Sequence, residues 1–196
     1  NSWAGRGTYK EPAAPDVAGL PELPEGWCWA GTEEVSAAID NAMTIGPFGS
    51  SLMVKDYQPT GVPLVFVREI RSATFMHART RYVTIDKAAT LSAHRVQSGD
   101  VLITKMGEPP GDTAIYPVGL PDAVATSDCI KLTPNTRATT PQFLKYVIRT
   151  QIVKAQIGKI TSGVAQKKVS LARFRPIAIP LAPFLEQQRI LAEVER

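Results

Sequence analysis

Cysteine and histidine are scarce in this sequence: Cys28, Cys129, His77 and His94 are the only ones among 196 residues. Two cysteines so far apart make neither a CxxC metal motif nor a disulfide framework. A zinc site of His and Cys would consume nearly every ligand available. Unpaired thiols point to a reducing cytoplasm. Long apolar runs are missing too. The best candidate, Phe174 to Leu185, is interrupted by Pro176, Pro180 and Pro183, well short of the roughly 20 apolar residues that span a bilayer, so no membrane role is expected. The chain opens at Asn1 with no basic-then-apolar leader, which reads as a fragment boundary and not as a secretory signal. With 44% hydrophobic and 20% charged residues the composition is that of a globular protein, and the length suits one well-packed domain.

Acid is the other absence, and it is local. From Asn1 to Val67 eight acidic residues outnumber Arg6, Lys10 and Lys55, and from Arg68 to Asp128 seven of each sign cancel. From Cys129 to Leu185 there are ten basic residues and no acid: Lys131, Arg137, Lys145, Arg149, Lys154, Lys159, Lys167, Lys168, Arg173 and Arg175. A one-sided basic block is the footprint expected where phosphates are neutralised and counterions released. A solvated helix face is the alternative that charge alone leaves open.

The Pro, Gly and Ala content of residues 1–22 reads as an extended connector. The domain proper is expected over 23–182, and a terminal helix over 183–196. Thr32 followed by Glu33 and Glu34 predicts a helix start, with the helix running to about Asn41. The β-branched and aromatic content predicts strands over Val62 to Ile70, Arg79 to Ile85, Asp100 to Lys105, Thr113 to Val118 and Asp128 to Leu132. A short helix is expected over Asp86 to Ala93. Thr140-Pro141 supplies an N-cap and an N1 proline for a helix that places Leu144, Val147, Ile148, Ile152 and Ala155 on one face. Pro176 to Leu181 is strand-like. The pattern is α+β: one mixed, twisted sheet with flanking helices.

Catalytic signatures are largely missing. GxGxxG, GxxxxGK[ST] and HExxH are absent. Adenine methylation uses Asn or Asp before Pro-Pro and an aromatic residue, whereas Pro109-Pro110 here precedes Gly111. Asp100 with Lys105, or Glu108 with Asp112, are combinations that a magnesium nuclease would use, but such a site needs clustered carboxylates and nothing in their spacing supports them beyond turn and capping roles. His77 and His94 have no nucleophile motif beside them and read as surface or packing residues. No catalytic residue, resident cofactor or metal is expected.

Six segments in order resemble the specificity subunits of type I restriction-modification systems. Leu23-Pro24-Glu25-Gly26-Trp27 with Trp29 resembles the opening of their target-recognition domains. Gly46-Pro47-Phe48-Gly49-Ser50-Ser51-Leu52 is similar to a GPFGSSL loop, and Gly61-Val62-Pro63-Leu64 to Ile70 to the strand after it. Gly99-Asp100-Val101-Leu102-Ile103 resembles a GDVLI strand. Ser162-Gly163-Val164-Ala165-Gln166-Lys167-Lys168-Val169 is similar to a G-x-x-Q segment. Ile179-Pro180-Leu181-Ala182-Pro183-Phe184-Leu185-Glu186-Gln187 resembles an IPLPPLxEQ exit into a long conserved spacer helix. Ala182 departs from the exit's usual proline, and Lys168-Val169 replace a more usual Asn-Leu.

The resemblance implies a non-catalytic reader of one half of a bipartite double-stranded DNA target. Methylation subunits would carry S-adenosylmethionine and flip the target adenine. A motor-nuclease subunit would bring ATP and magnesium, translocation and cleavage. Tyr9-Lys10-Glu11-Pro12 resembles the stretch leading from the central spacer into the second recognition domain, and a self-associating half-subunit is the other arrangement. Two further readings stay open: the C-terminal reader of a single-chain restriction-methylation enzyme, and a protein-interaction scaffold.

Residue roles rest on physics. Lys159, Lys167, Lys168 and Arg173 flank a polar break, where cations meet phosphates without being buried. Arg68, Arg71, Arg79 and Gln166 carry the directional donors and acceptors that base edges need. Arg79 and Arg81 fall on one face of a strand and serve equally as sheet surface. Ser50 and Ser51 sit in a glycine-flanked loop that approaches a backbone closely, while Phe48 is assigned to packing under the first helix. On the terminal helix, Phe184, Leu185, Gln188, Leu191 and Val194 form an apolar face for a partner or a second copy.

Overall fold

The computed structural model describes residues 12, 14–76, 80–107, 110–162 and 168–196. Among these, the strands are β1 (Cys28–Gly31), β2 (Met43–Ile45), β3 (Val62–Val65), β4 (Tyr82–Val83), β5 (Arg95–Val96), β6 (Val101–Thr104), β7 (Thr113–Ile115), β8 (Ala123–Ala125), β9 (Cys129–Leu132) and β10 (Ala178–Leu181). The helices are α1 (Ile85–Thr90), α2 (Pro141–Ile148), α3 (Gln151–Ile160), α4 (Leu171–Phe174) and α5 (Phe184–Val194). The architecture is α+β, as expected, although the strands divide among three sheets instead of one.

The central sheet has the order β2-β9-β6-β7 and is antiparallel throughout. Side chains alternate across a strand, and here both faces are covered. Val101, Ile103, Ile130 and Leu132 face a core shared with Phe143, Leu144 and Ile148 of α2 and Val153 and Ile157 of α3. Leu102, Ala114 and Cys129 face a second core with Val65, Val96, Tyr116 and Ala125. Beyond that core lies a mixed sheet, β4-β3-β8-β5, in which β3 and β8 run parallel. Burial on both faces is why β6 reads as an apolar run and not as an alternating one, and why Lys131 of β9 is a buried charge. In the second core, desolvation pushes the Cys129 thiol up to about 12. A separate two-stranded ribbon pairs β1 with β10, from Cys28 against Leu181 to Gly31 against Ala178.

The sequence misplaced three elements. No helix forms over Thr32 to Asn41, because long-range partners claim the residues that would cap it. The buried Thr32 hydroxyl donates to the carbonyls of Phe174 (2.9 Å) and Arg175 (3.0 Å), and Thr32 N donates to Ile177 O. Glu33 pairs with Arg175. The stretch is a chain of turns with Val35 in the core. The long helix expected after Thr140 is two helices. Its start is as expected, with the Thr140 hydroxyl accepting from Phe143 N and Pro141 at N1. Thr150 then adopts extended backbone, and its hydroxyl donates back to Val147 O at 2.7 Å. This rephases the second helix, so that it buries Val153 and Ile157 and leaves Ile152 and Ala155 exposed. The strand expected to reach Ile70 stops at Val65.

A tight turn over Val67–Glu69 replaces the rest of that strand, closed by the Glu69 carboxylate accepting from Phe66 N at 2.7 Å. Glu69 is 1% exposed, and its second oxygen, Oε1, has no hydrogen bond and lies 3.9 Å from Arg68 Nη2. Burial raises its pKa, against the Phe66 hydrogen bond and Arg68. An acid whose folded pKa lies above its unfolded one, about 4.3, loses stability as pH rises from the unfolded value through the folded one. Glu69→Gln keeps an acceptor for Phe66 N and removes the charge. We expect its melting temperature relative to the parent to be more favourable at pH 7 than at pH 4. An equal difference at both pH values would refute the assignment.

Candidate nucleic-acid interface

Fold and charge converge at the C-terminal end of α3. Lys159 is exposed in its last turn. Arg173, in α4, extends Nη1 to the carbonyl of Ile160 at 3.5 Å. Just beyond, Ser162 and Lys168 exchange two backbone hydrogen bonds, Ser162 N to Lys168 O (3.1 Å) and Lys168 N to Ser162 O (2.9 Å). That pair closes a loop whose contents, including Gln166 and Lys167, lie outside the described residues, as does Arg79. Three of the four expected phosphate contacts, Lys159, Lys168 and Arg173, are therefore brought to one end of one helix.

The rest of the basic block behaves differently. Arg175 pairs with Glu33, and Lys154 with Asp112 at 3.8 Å. Lys131 is buried and donates to Asn41 O and the Thr133 hydroxyl. Arg149 reaches Thr113 O, and Lys145 lies over the Tyr146 ring. Acids from before the basic block, Glu33 and Asp112, thus neutralise part of it, and the charge imbalance read along the sequence concentrates where those acids do not reach.

Lys168 also bridges to Met106, and Val169 N donates to Lys105 O, which joins this loop to the end of β6. Lys105 is 8% exposed, donates to Ser127 O at 3.3 Å and places its ammonium 4.5 Å from the centre of the Phe48 ring. Burial lowers the Lys105 pKa, Asp128 opposes that and Lys168 adds to it. Phe48 itself is 55% exposed, which corrects its assignment to packing. The helix it was to pack under does not form, and the Gly46 to Ser51 loop instead leans on the β8–β9 turn, with Gly46 N donating to Cys129 O. Ser50 and Ser51 are exposed on the same loop. Sequence reasoning missed the Phe48 and Lys105 pair. The available signal was a phenylalanine between Pro47 and Gly49 with no apolar period around it to bury it.

Arg68 and Arg71 follow β3. The Arg68 guanidinium stacks 4.3 Å from the Phe66 ring centre, and Phe66 meets Tyr57 edge-on at 5.9 Å. Burial raises the Tyr57 pKa, Arg68 lowers it and Asp128 raises it. Asp128 is thus within electrostatic reach of both Tyr57 and Lys105, and ties the arginine region to the lysine region. Arg71 is exposed in the following turn.

The remaining candidates have structural duties. Asp100 is buried, accepting from Gln97 N and from the Thr133 hydroxyl, and His94 Nδ1 lies 2.6 Å from Ile45 O. Among the described residues, no three His, Cys, Asp or Glu side chains are grouped to hold a metal ion, and no helix is long and apolar enough to cross a membrane.

The face of α5 expected to be free is divided. Gln187 is fully buried, Ile190 and Leu191 pack on the core, and Phe184 (41% exposed), Leu185 (74%), Gln188 and Val194 look outward. Leu191 therefore leaves the candidate partner face and serves the domain's own core.

Residues 65–195 match the family model described as type I restriction modification DNA specificity domain. The fold is similar to a chain from work on complex assembly and conformational transition of the type I R-M system (TM-score 0.66, 18% identity, 90% of this chain and 39% of that one). It is also similar to the HsdS subunit of Thermoanaerobacter tengcongensis (0.61, 18%, 90% and 38%) and to a type I restriction-modification S subunit from M. genitalium (0.57, 12%, 93% and 41%). The chain spans about two fifths of the length of each of these. No curated protein sequence matches it.

Proposed function

Since the chain belongs to the type I restriction-modification DNA specificity domain family, we propose that it reads one half of a bipartite double-stranded DNA target on behalf of partner subunits that methylate and cleave. The observation that carries this reading is the gathering of Lys159, Lys168 and Arg173 at the end of α3, beside the exposed residues Phe48 to Ser51. Exposed cations at one edge contact phosphates and fix register. Arg68 and Arg71, with Arg79 and Gln166, are the base-reading candidates, and Lys167 joins the phosphate set.

In this reading residues 23–182 are the recognition domain, 1–22 a connector and 183–196 the start of a spacer helix. The domain supplies position and sequence choice, and the chemistry resides on methylation and motor-nuclease subunits, with S-adenosylmethionine, ATP and magnesium held there. A cytoplasmic setting follows from that partnership. The outward residues of α5, Phe184, Leu185, Gln188 and Val194, are the surface offered to a partner or to a second half-subunit.

The test is selection of duplexes from a random pool by the specificity subunit assembled with its methylation subunits, alongside Arg68→Ala and Arg71→Ala versions. We expect a bipartite motif from the parent, and loss of about 1–3 kcal/mol of discrimination at the affected positions of one half in the variants. A bipartite motif untouched by either substitution removes these arginines as readers. No motif at all from an assembled complex rejects DNA reading itself.

A further inference from the structure

An aromatic side chain that is more than half exposed, yet held in place from beneath, is an unusual use of a loop. Phe48 meets that description. One side of its ring rests near the Lys105 ammonium, at 4.5 Å, and the rest looks to solvent. The loop beneath it has little freedom, because a Cβ on Gly46 would lie 2.1 Å from the Thr126 carbonyl carbon. Lys105 is in turn fixed by its hydrogen bond to Ser127 O and by Val169 N on its own carbonyl. Lys168, with its backbone bridged to Met106, stands beside this arrangement and adds positive charge.

We propose that Phe48 is a duplex-contacting side chain, set against sugar and base surface, and that Lys105 is the positioning residue that holds its ring ready. The inference rests on the DNA-reading proposal above and deepens it. A benzyl ring has nothing to offer a phosphate, but it stacks on bases and packs on deoxyribose and thymine methyl groups. The neighbouring cations select a polyanionic partner for the same edge. Ordering a ring before contact removes part of the entropy that contact would otherwise cost. A lysine already tucked under that ring is poorly placed to reach a phosphate itself, which is why it is assigned to positioning.

The experiment titrates a duplex carrying the selected motif against the complex of specificity and methylation subunits, in parent, Phe48→Ala, Lys105→Met, Lys105→Arg and Phe48→Ala/Lys105→Met forms, at several salt concentrations. Phe48→Ala is expected to weaken binding about tenfold without altering the slope of log affinity against log salt, because no phosphate contact is lost. Lys105→Met should weaken it several-fold, Lys105→Arg should restore most of that loss, and the double variant should bind no worse than Phe48→Ala. Because Phe48 is exposed, its removal should leave the melting temperature unchanged.

Additive losses, with a salt slope smaller by about one in Lys105→Met, would make Lys105 a phosphate contact and overturn its positioning role. Parent-like binding by Phe48→Ala would overturn the whole inference. If the parent complex selects no motif, the DNA-reading proposal falls first and takes this one with it.

Discussion

Gly46→Ala is expected to lower the melting temperature by about 6–12 °C, corresponding to roughly 3 kcal/mol or more in a domain of this size. The added methyl would sit 2.1 Å from Thr126 C, 2.3 Å from Thr126 O and 2.4 Å from Ala125 O. All three are backbone atoms at the end of β8, so no rotamer change relieves the clash, and either the loop or the strand must move. The strand is not free to do so. Thr126 donates both its N–H (3.0 Å) and its hydroxyl (2.7 Å) to Val65 O across the mixed sheet. Gly49→Ala in the same loop is the control. It meets open space, but at φ +58° it strains the backbone by only about 1–2 kcal/mol. Thermal denaturation should rank the parent above Gly49→Ala and Gly49→Ala well above Gly46→Ala. Equal melting of the two variants would show that the close approach to Thr126 does not constrain the loop.

The second large effect concerns two charges under the central sheet. Asp100 and Lys131 are both buried and do not meet directly in the hydrogen-bond pattern. The Thr133 hydroxyl stands between them, donating to Asp100 Oδ1 at 2.5 Å and accepting from Lys131 Nζ at 3.2 Å. Burial raises the Asp100 pKa, while the hydrogen bonds from Thr133 and Gln97 and the charge of Lys131 act against it. Burial lowers the Lys131 pKa, and Asp100 opposes that shift. Lys131 thus leans on the charge of Asp100, whereas Asp100 is held foremost by its two hydrogen bonds and after them by Lys131. Asp100→Ala should cost about 3–5 kcal/mol, most of it from the ammonium left behind, together with the Gln97 turn that the carboxylate closes. Asp100→Ala/Lys131→Met should cost distinctly less than the two single losses added together. Strict additivity in urea denaturation would mean that the two charges do not support each other.

What was readable beforehand follows from how local the cause is. The N-cap of α2 is set by Thr140 and Pro141, three residues from the N–H they serve, and it was found. The strand β6 announces itself by composition, because both faces are buried. Thr32 looks like a cap as well, but its hydroxyl is claimed by carbonyls at 174 and 175, and no window along the chain contains that competition. Thr150 ends a helix by bonding backwards within one turn; the signal was local, but it was outweighed by an apolar period that continues across it at the wrong phase.

The site divides in the same way. Lys159, Lys168 and Arg173 were identified by charge and are brought together. The loss of Lys131, Lys154 and Arg175 to internal partners required knowing which acids fold back against them. Phe48 was misjudged because a packing partner was supplied for it by a helix that the chain does not form.

The ribbon of β1 and β10 carries a consequence for evolution. Its register pairs Cys28 with Leu181, so the strand that leads into the recognition fold and the strand that leads out of it lie side by side, a strand spacing of about 5 Å apart. Both strands are built into the main core, where Ala30 and Ile179 pack with Phe143 and Ile157. Adjacent ends of this kind accept a lengthened, reshaped or exchanged intervening segment as long as the residues that pack on Ala30 and Ile179 are kept. Under the DNA-reading proposal above, such an exchange would change the target in one step, without altering base contacts singly.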